Sequence, residues 1–211
     1  MLKIKTTYGL IAVLIACSFI ACTSANNNPP ETPKPVIEPV NPYAAVDKSP
    51  MDMSYYPVNY PMQVMSGNDS SGLVARVIYS RPQKNGRRVF SDEAPPKSVQ
   101  QYGTYWRLGA NEASEIEFFK PVTIHERKIP KGRYIIYCIP FEDKWTIVLN
   151  TNLFDWGLHP DASKDIARID IPAEKTSRPV EYFTMVFQQS ATGANLVMAW
   201  DSVKAVLPIS F

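Results

Sequence analysis

The stretch Arg133-Tyr134-Ile135-Ile136-Tyr137-Cys138-Ile139, followed after Pro140–Asp143 by Lys144-Trp145-Thr146-Ile147-Val148-Leu149-Asn150, decides the fold. From Tyr134 to Ile139 every residue is apolar or aromatic, so a strand here would show water neither face. That is the pattern of a strand near the middle of a packed sheet. The second run is equally β-prone, and the short connection predicts that the two form a hairpin.

Working outward, the same signal recurs. Leu73–Tyr79 follows the turn residues between Gly67 and Gly72. Ser114–Phe118 alternates, with Ile116 and Phe118 on one face and Glu115 and Glu117 on the other. Val122–Ile124 is a short edge-like piece, and Ile129-Pro130-Lys131-Gly132 turns the chain into the central hairpin. Ile166–Ile171, Val180–Gln188 and Leu196–Ser202 follow, with Ser190–Gly193 turning between the last two. Gly103–Arg107 is a further strand candidate. Helical periodicity is weak, and only Lys97–Tyr102 and Pro160–Asp165 have room for a turn or two of helix. Roughly seven to nine short strands, with Trp106, Trp145, Trp156 and Trp200 spread among them, predict an all-β fold: a single antiparallel, jelly-roll-like β-sandwich.

The N-terminus reads differently. Lys3 and Lys5 precede a run, Leu10 to Ala21, that is apolar apart from Ser18. Ala21-Cys22 and the polar Thr23–Asn28 follow. This is the shape of a bacterial lipoprotein signal, too short to span a bilayer comfortably. Cleavage before Cys22 would make residues 1–21 the signal peptide and Cys22 the lipidated residue. Leu14-Ile15-Ala16-Cys17 is a second lipobox, but cleavage at Cys17 would leave apolar Phe19-Ile20-Ala21 beside the membrane. The alternatives to a lipoprotein are an uncleaved anchor and an ordinary secreted protein. Residues 22–46 carry Pro29, Pro30, Pro33, Pro35, Pro39 and Pro42. Such a stretch buries too little apolar surface to order itself, so it is expected to be a disordered, extended tether. The β domain then occupies residues 47–211. The expected address is the bacterial envelope, lipid-anchored at the outer membrane on its periplasmic or its surface side.

Charge and cysteine content exclude several classes. Residues 1–21 hold two lysines and no acid, so the remainder has 20 basic and 20 acidic residues. Without a basic excess there is no electrostatic footprint for nucleic acid. Beyond the signal region only Cys138 remains, so the body cannot form an internal disulfide; Cys138 reads as a small buried hydrophobe. Gly-x-Ser-x-Gly, Ser-x-x-Lys and Cys-x-x-Cys are all absent. His125-Glu126 opens like a zinc-protease helix, but Ile129 stands where the second histidine belongs and Pro130 forbids the helix. Nothing in the spacing of His125, His159 and Asp161 favours a metal, and no cofactor is expected.

One block remains: Trp106-Arg107-Leu108-Gly109-Ala110-Asn111-Glu112-Ala113, with Tyr79-Ser80-Arg81-Pro82 upstream. Gly109 among small residues before a strand implies a tight backbone path. Charges in such apolar company are seldom buried unpaired. Arg81, Arg107, Asn111 and Glu112 therefore form either a ligand pocket or an internal network tying loops to the sheet. In the first reading two guanidiniums take an anionic or sugar-like ligand; in the second Glu112 lies buried against Arg107. The planar fork of arginine suits both.

Five strings in this order resemble the DUF2911 family: Ala75–Arg87, Tyr105–Ala113, Lys131–Tyr134, Trp145–Asn150 and Trp156-Gly157. The resemblance spans nearly everything from Ser49 onward. One departure is Phe90-Ser91-Asp92, where the family usually has a glycine after the phenylalanine. The resemblance implies an envelope protein of Bacteroidota, often a lipoprotein, and transfers no activity. The expected function is a non-enzymatic binding or accessory module for a glycan, a peptide or a partner envelope protein. The alternatives are a carbohydrate hydrolase or lyase using Glu112 with Glu115 or Asp92, and a structural subunit with a large exposed apolar patch.

Overall fold

The structure, a computed structural model, describes residues 42–68 and 72–211. The signal-like segment, Cys17, Cys22 and nearly all of the Pro-rich stretch lie outside the described residues. A compact unit runs from Ala44 to Phe211.

The central hairpin forms as its composition dictates. β8 (Gly132–Pro140) pairs with β9 (Lys144–Asn150) in antiparallel register, Ile136 opposite Leu149 and Cys138 opposite Ile147. Tyr134, Ile136 and Cys138 face the main core together with Trp145, Ile147 and Leu149. On the opposite face Ile135, Tyr137 and Val148 join Ala113 in a second, smaller apolar cluster. Apolar residues on both faces of β8 therefore have two separate destinations. Cys138 is fully buried, and that burial pushes its thiol pKa well up, as befits a core residue.

Around the hairpin lies one antiparallel sheet of nine strands that does not close into a barrel. On one side come β5 (Glu115–Phe118), β2 (Ala75–Ser80) and β1 (Met51–Tyr56). On the other come β10 (Asp165–Ser190), β11 (Gly193–Ser210), β6 (Val122–Ile124) and β7 (Arg127–Ile129). β3 (Phe90–Ser91) and β4 (Gln100–Gln101) form a separate parallel pair.

Several expected elements change. Ile166–Ile171 and Val180–Gln188 belong to one long strand, β10. Residues 165–172 of it pair with β9, and residues 173–190 pair with β11. The change of partner falls between Pro172 and Ala173, and register breaks at Lys175/Val180 and Val180/Thr184 then bend the strand within its pairing with β11. Leu196–Ser202 extends likewise into the whole of β11. In that strand Asp201 takes a left-handed φ of 51°, and Ser210 Oγ comes back to 3.4 Å from Thr192 Oγ1, at the turn before the strand begins. Gly103–Arg107 is not a strand; only Trp106 bridges, to Cys138. Lys97–Tyr102 is not helical and supplies β4, whereas Pro160–Asp165 does hold a short 3-10 turn, Ala162–Lys164. Met51–Tyr56 and the one α-helix among the described residues, α1 (Tyr60–Met65), had no clear sequence signal, and no residue of α1 is buried. His125-Glu126 is the two-residue turn of the β6–β7 hairpin, with φ of 47° and 65° at its two positions. Positive φ at both central residues is the type I′ geometry that matches strand twist.

The bends bring the far half of β10 over the start of the sheet. Phe183 N–H donates to the Pro82 carbonyl (3.0 Å), Lys84 N–H to Glu181 (2.7 Å), and Phe187 N–H to Ser54 Oγ (3.1 Å). Between these parts of the sheet three of the four tryptophans converge. Trp106 stacks on Trp200 (5.8 Å between centroids, 18°) and meets Trp145 (5.4 Å, 89°) and Phe183 (4.8 Å, 63°) edge-on. Trp145 Nε1 is buried without a hydrogen-bond partner. An orphan donor of this kind costs about 1–3 kcal/mol, which the aromatic packing has to exceed. Among the described residues no helix is long and apolar enough to cross a membrane.

Candidate functional site

The fourth tryptophan stands outside the core. It sits in the excursion between β9 and β10, Thr151–Lys164, which the sheet pins at its base. Asn150, buried at the end of β9, accepts from Asn152 N–H (2.7 Å) and donates to the Asp161 carbonyl (2.8 Å) and to Asp165 (2.7 Å). Nearer the tip, Asp155 accepts from Gly157 N–H (2.8 Å) and Asn152 Nδ2 (3.1 Å), and its carbonyl accepts from Ala113 N–H (3.2 Å). Gly157 is required here. Its φ is +79°, and a Cβ would stand 2.8 Å from Arg107 Cβ and 2.9 Å from Ala113 Cβ. The loop after β9 is therefore fastened against the loop before β5, and Phe154 (82% exposed) and Trp156 (53% exposed) are left facing solvent.

Together these loops wall a groove of about 530 Å³, lined also by Met51, Ile78, Glu112, Glu115 and Arg133. Its floor is the outer face of the sheet, where register sets Met53, Ile78, Glu115 and Ile135 in one cross-strand row. Arg133 holds Glu115 through two hydrogen bonds (2.5 and 3.0 Å), and its guanidinium lies 5.0 Å from the Phe154 ring centroid. Bidentate pairing fixes both side chains.

The four residues singled out from sequence part company. Arg81 clips β1 to β10. It bonds Asp52 (3.3 Å), the Phe183 carbonyl (3.3 Å) and Thr184 (3.3 Å). Asn111 donates to Asp47 (2.6 Å) and takes a positive φ of 62°. Glu112 is exposed and lines the groove, and among the described residues its carboxylate makes no hydrogen bond or ion pair. The expected internal Arg107–Glu112 pair is thus not formed: Glu112 acts on Arg107 only from longer range. Arg107 instead donates to the Trp156 carbonyl (3.1 Å) and packs its guanidinium 5.6 Å from the Trp156 centroid, where partial burial lowers its pKa. The reason is the loop path: Leu108 and Asn111, both left-handed, turn the chain between the two charges. Gly109 has the tight path expected, since a Cβ there would lie 3.1 Å from the Ser80 carbonyl oxygen.

Sequence reasoning missed Phe154, Asp155, Trp156 and Arg133. The available signal was Phe154-Asp155-Trp156-Gly157, two large aromatics in a turn-rich connection where no strand could bury them. His125 and His159 lie on separate turns, and among the described residues no group of His, Cys, Asp or Glu could hold a metal ion. Asp92 does not line the groove.

Comparison with known proteins gives one positive result. No curated protein and no solved structure matches the chain. The pattern described as "Protein of unknown function (DUF2911)" matches residues 61–209, a span that takes in β2 to β11 and every loop around the groove. The chain therefore belongs to the DUF2911 family.

Proposed function

We propose that the chain is a lipid-anchored binding module of the bacterial envelope, held at the outer membrane through Cys22 and a Pro-rich tether, and that it binds a glycan in the Phe154–Trp156 groove. In this reading the domain is a β-sandwich folded from one sheet, with β10 passing from one layer to the other. The supporting observation is the pair of exposed aromatic rings beside Glu112 and the Arg133–Glu115 pair. A sugar ring offers C–H groups on its faces and hydroxyls on its rim, so it asks for a flat ring flanked by hydrogen-bonding groups. The groove also falls within the usual volume of small-ligand sites, about 300–1,000 Å³. Cleavage chemistry is less well supported, because a second free carboxylate is needed. Glu115 is held by Arg133 and Asp155 by two N–H groups, which leaves Glu112 alone.

The test is binding of a panel of neutral oligosaccharides, followed by tryptophan fluorescence. Trp156→Ala and Glu112→Ala are each expected to weaken binding by about tenfold or more. Both side chains are exposed, so unfolding free energy should move by less than about 1 kcal/mol. A panel with no binder, or a Trp156→Ala protein that binds normally, would refute the groove reading.

The anchor is tested separately. Cys22→Ala should abolish incorporation of labelled fatty acid in cells and move the protein to the soluble fraction. Two or three acyl chains hold a protein on a membrane at roughly 0.8 kcal/mol per buried CH₂. Labelling that survives this change and disappears only with Cys17→Ala would place the processing site at Cys17.

A further inference from the structure

Beside the groove lies a second depression, of about 300 Å³, whose lining includes Arg87, Arg107, Gln100, Tyr105, Trp106 and Trp200. Two positive charges line it and no aspartate or glutamate does. Among the described residues Arg76, Arg81, Arg88, Arg133 and Arg168 each form an ion pair with a carboxylate. Arg87 and Arg107 form none, and neither do Arg127 and Arg178, but only the first two share a depression.

Neither guanidinium is loose, however. Arg87 follows the Asn85-Gly86 turn and donates to the carbonyls of Lys84 (3.0 Å) and Gln83. Arg107 donates through one nitrogen to the Trp156 carbonyl (3.1 Å) and is braced by the Trp156 ring. Carbonyls orient a guanidinium without neutralising it, and Arg107 keeps Nε and its other terminal nitrogen free of bonds to described residues. Arg107 is half-buried, and the nearest carboxylate influence on it, that of Glu112, acts from outside this pocket. An anion arriving here would meet two pre-oriented forks. Of the aromatic residues in the lining, Tyr105 is 42% exposed while Trp106 and Trp200 are almost wholly buried, and an organic ring suits such a lining better than a bare inorganic ion.

We infer that this pocket binds a ring-bearing carboxylate, such as a uronic acid, with its acid group between Arg87 and Arg107. This pocket shares no lining residue with the neutral-glycan groove, although Trp156 of the groove braces Arg107.

The experiment titrates the full chain with four probes: glucuronate, benzoate, glucose and inorganic phosphate. Binding is read by tryptophan fluorescence, since Trp106 and Trp200 line the site. Saturable binding of glucuronate or benzoate, with glucose and phosphate at least tenfold weaker, is the expected result, and the first two probes separate a sugar acid from an aromatic one. Raising salt from about 0.05 M to about 0.5 M should weaken it severalfold. Arg87→Ala should weaken it by about tenfold or more. Arg107→Lys keeps a charge but loses the fork, and should weaken it without lowering the melting temperature appreciably. The inference is overturned if neither carboxylate binds, if glucose or phosphate binds as well as glucuronate, or if Arg87→Ala and Arg107→Lys both bind normally. Loss of the groove's glycan binding with carboxylate binding intact would refute the proposed function and leave this inference standing.

Discussion

Trp106→Ala is expected to lower the unfolding free energy by about 3–5 kcal/mol, the range for removing a large buried aromatic. The side chain is only 4% exposed and touches four other rings: Phe90, Trp145, Phe183 and Trp200. Those partners come from β9, β10, β11 and the β3–β4 pair, so one deletion loosens several elements at once. Its backbone bridge to Cys138 would survive, because both bridging hydrogen bonds (2.8 Å each) are main-chain. The loss is therefore one of packing, and Trp106→Phe should cost markedly less. Against a total stability of about 5–15 kcal/mol for a domain, the alanine variant should melt roughly 6–20 °C lower. The near-ultraviolet circular dichroism of the stacked Trp106–Trp200 pair should vanish with it. A melting temperature within about 2 °C of the parent would show that the aromatic cluster is not the centre of the core.

How much of this was legible beforehand follows from what each residue can report. The central hairpin was readable because Tyr134–Ile139 is apolar on both faces and Lys144–Asn150 is its β-prone partner, and local pattern is enough for such a pair. The alternation of Ser114–Phe118 was equally plain. The continuity of β10 was not. Lys175 to Tyr182 has no buried residue, so the periodic signal lapses where the register with β11 breaks, and a lapse reads as a loop. β1 was hidden for a related reason. Its inward residues are Asp52, Ser54 and Tyr56, and the first two are held by polar contacts, Tyr79 Oη to Asp52 (3.1 Å) and Phe187 N–H to Ser54 Oγ (3.1 Å). At the site the sequence singled out the Trp106–Ala113 block but did not give its pairing. Whether Glu112 meets Arg107 depends on two left-handed residues between them, and neither Leu108 nor Asn111 announces its φ. The aromatics that face solvent looked like those that do not, because exposure is a property of the loop and not of the residue.

Asp165→Ala should be nearly as damaging, by about 2–4 kcal/mol, and it links stability to the site. The carboxylate begins β10, its side chain is only 8% exposed, and it is surrounded by donors. Tyr137 Oη donates to both oxygens at 2.8 Å, Asn150 Nδ2 to one at 2.7 Å, and Arg168 to the other through Nε (3.1 Å) and a terminal nitrogen (2.7 Å). Burial first, and then the bond to Asp165, raises the Tyr137 pKa, so the hydroxyl stays a donor throughout the working pH range. Removing the carboxylate leaves the buried Tyr137 hydroxyl without its acceptor and takes one of two acceptors from the Asn150 amide. Each loss of this kind costs about 1–3 kcal/mol. Arg168, 46% exposed, can turn to water, which holds the total below the full penalty of a broken buried pair. Asp165→Asn keeps the shape and one acceptor oxygen and should cost less than the alanine change. The consequence reaches the groove because Asn150 anchors both ends of the Thr151–Lys164 excursion, through Asn152 N–H and the Asp161 carbonyl. Protease sensitivity should therefore appear first between Leu153 and His159 in Asp165→Ala, at temperatures where the sheet is still intact. Uniform cleavage, or unchanged resistance of that loop, would show that the Asp165 cluster supports the sheet but not the site.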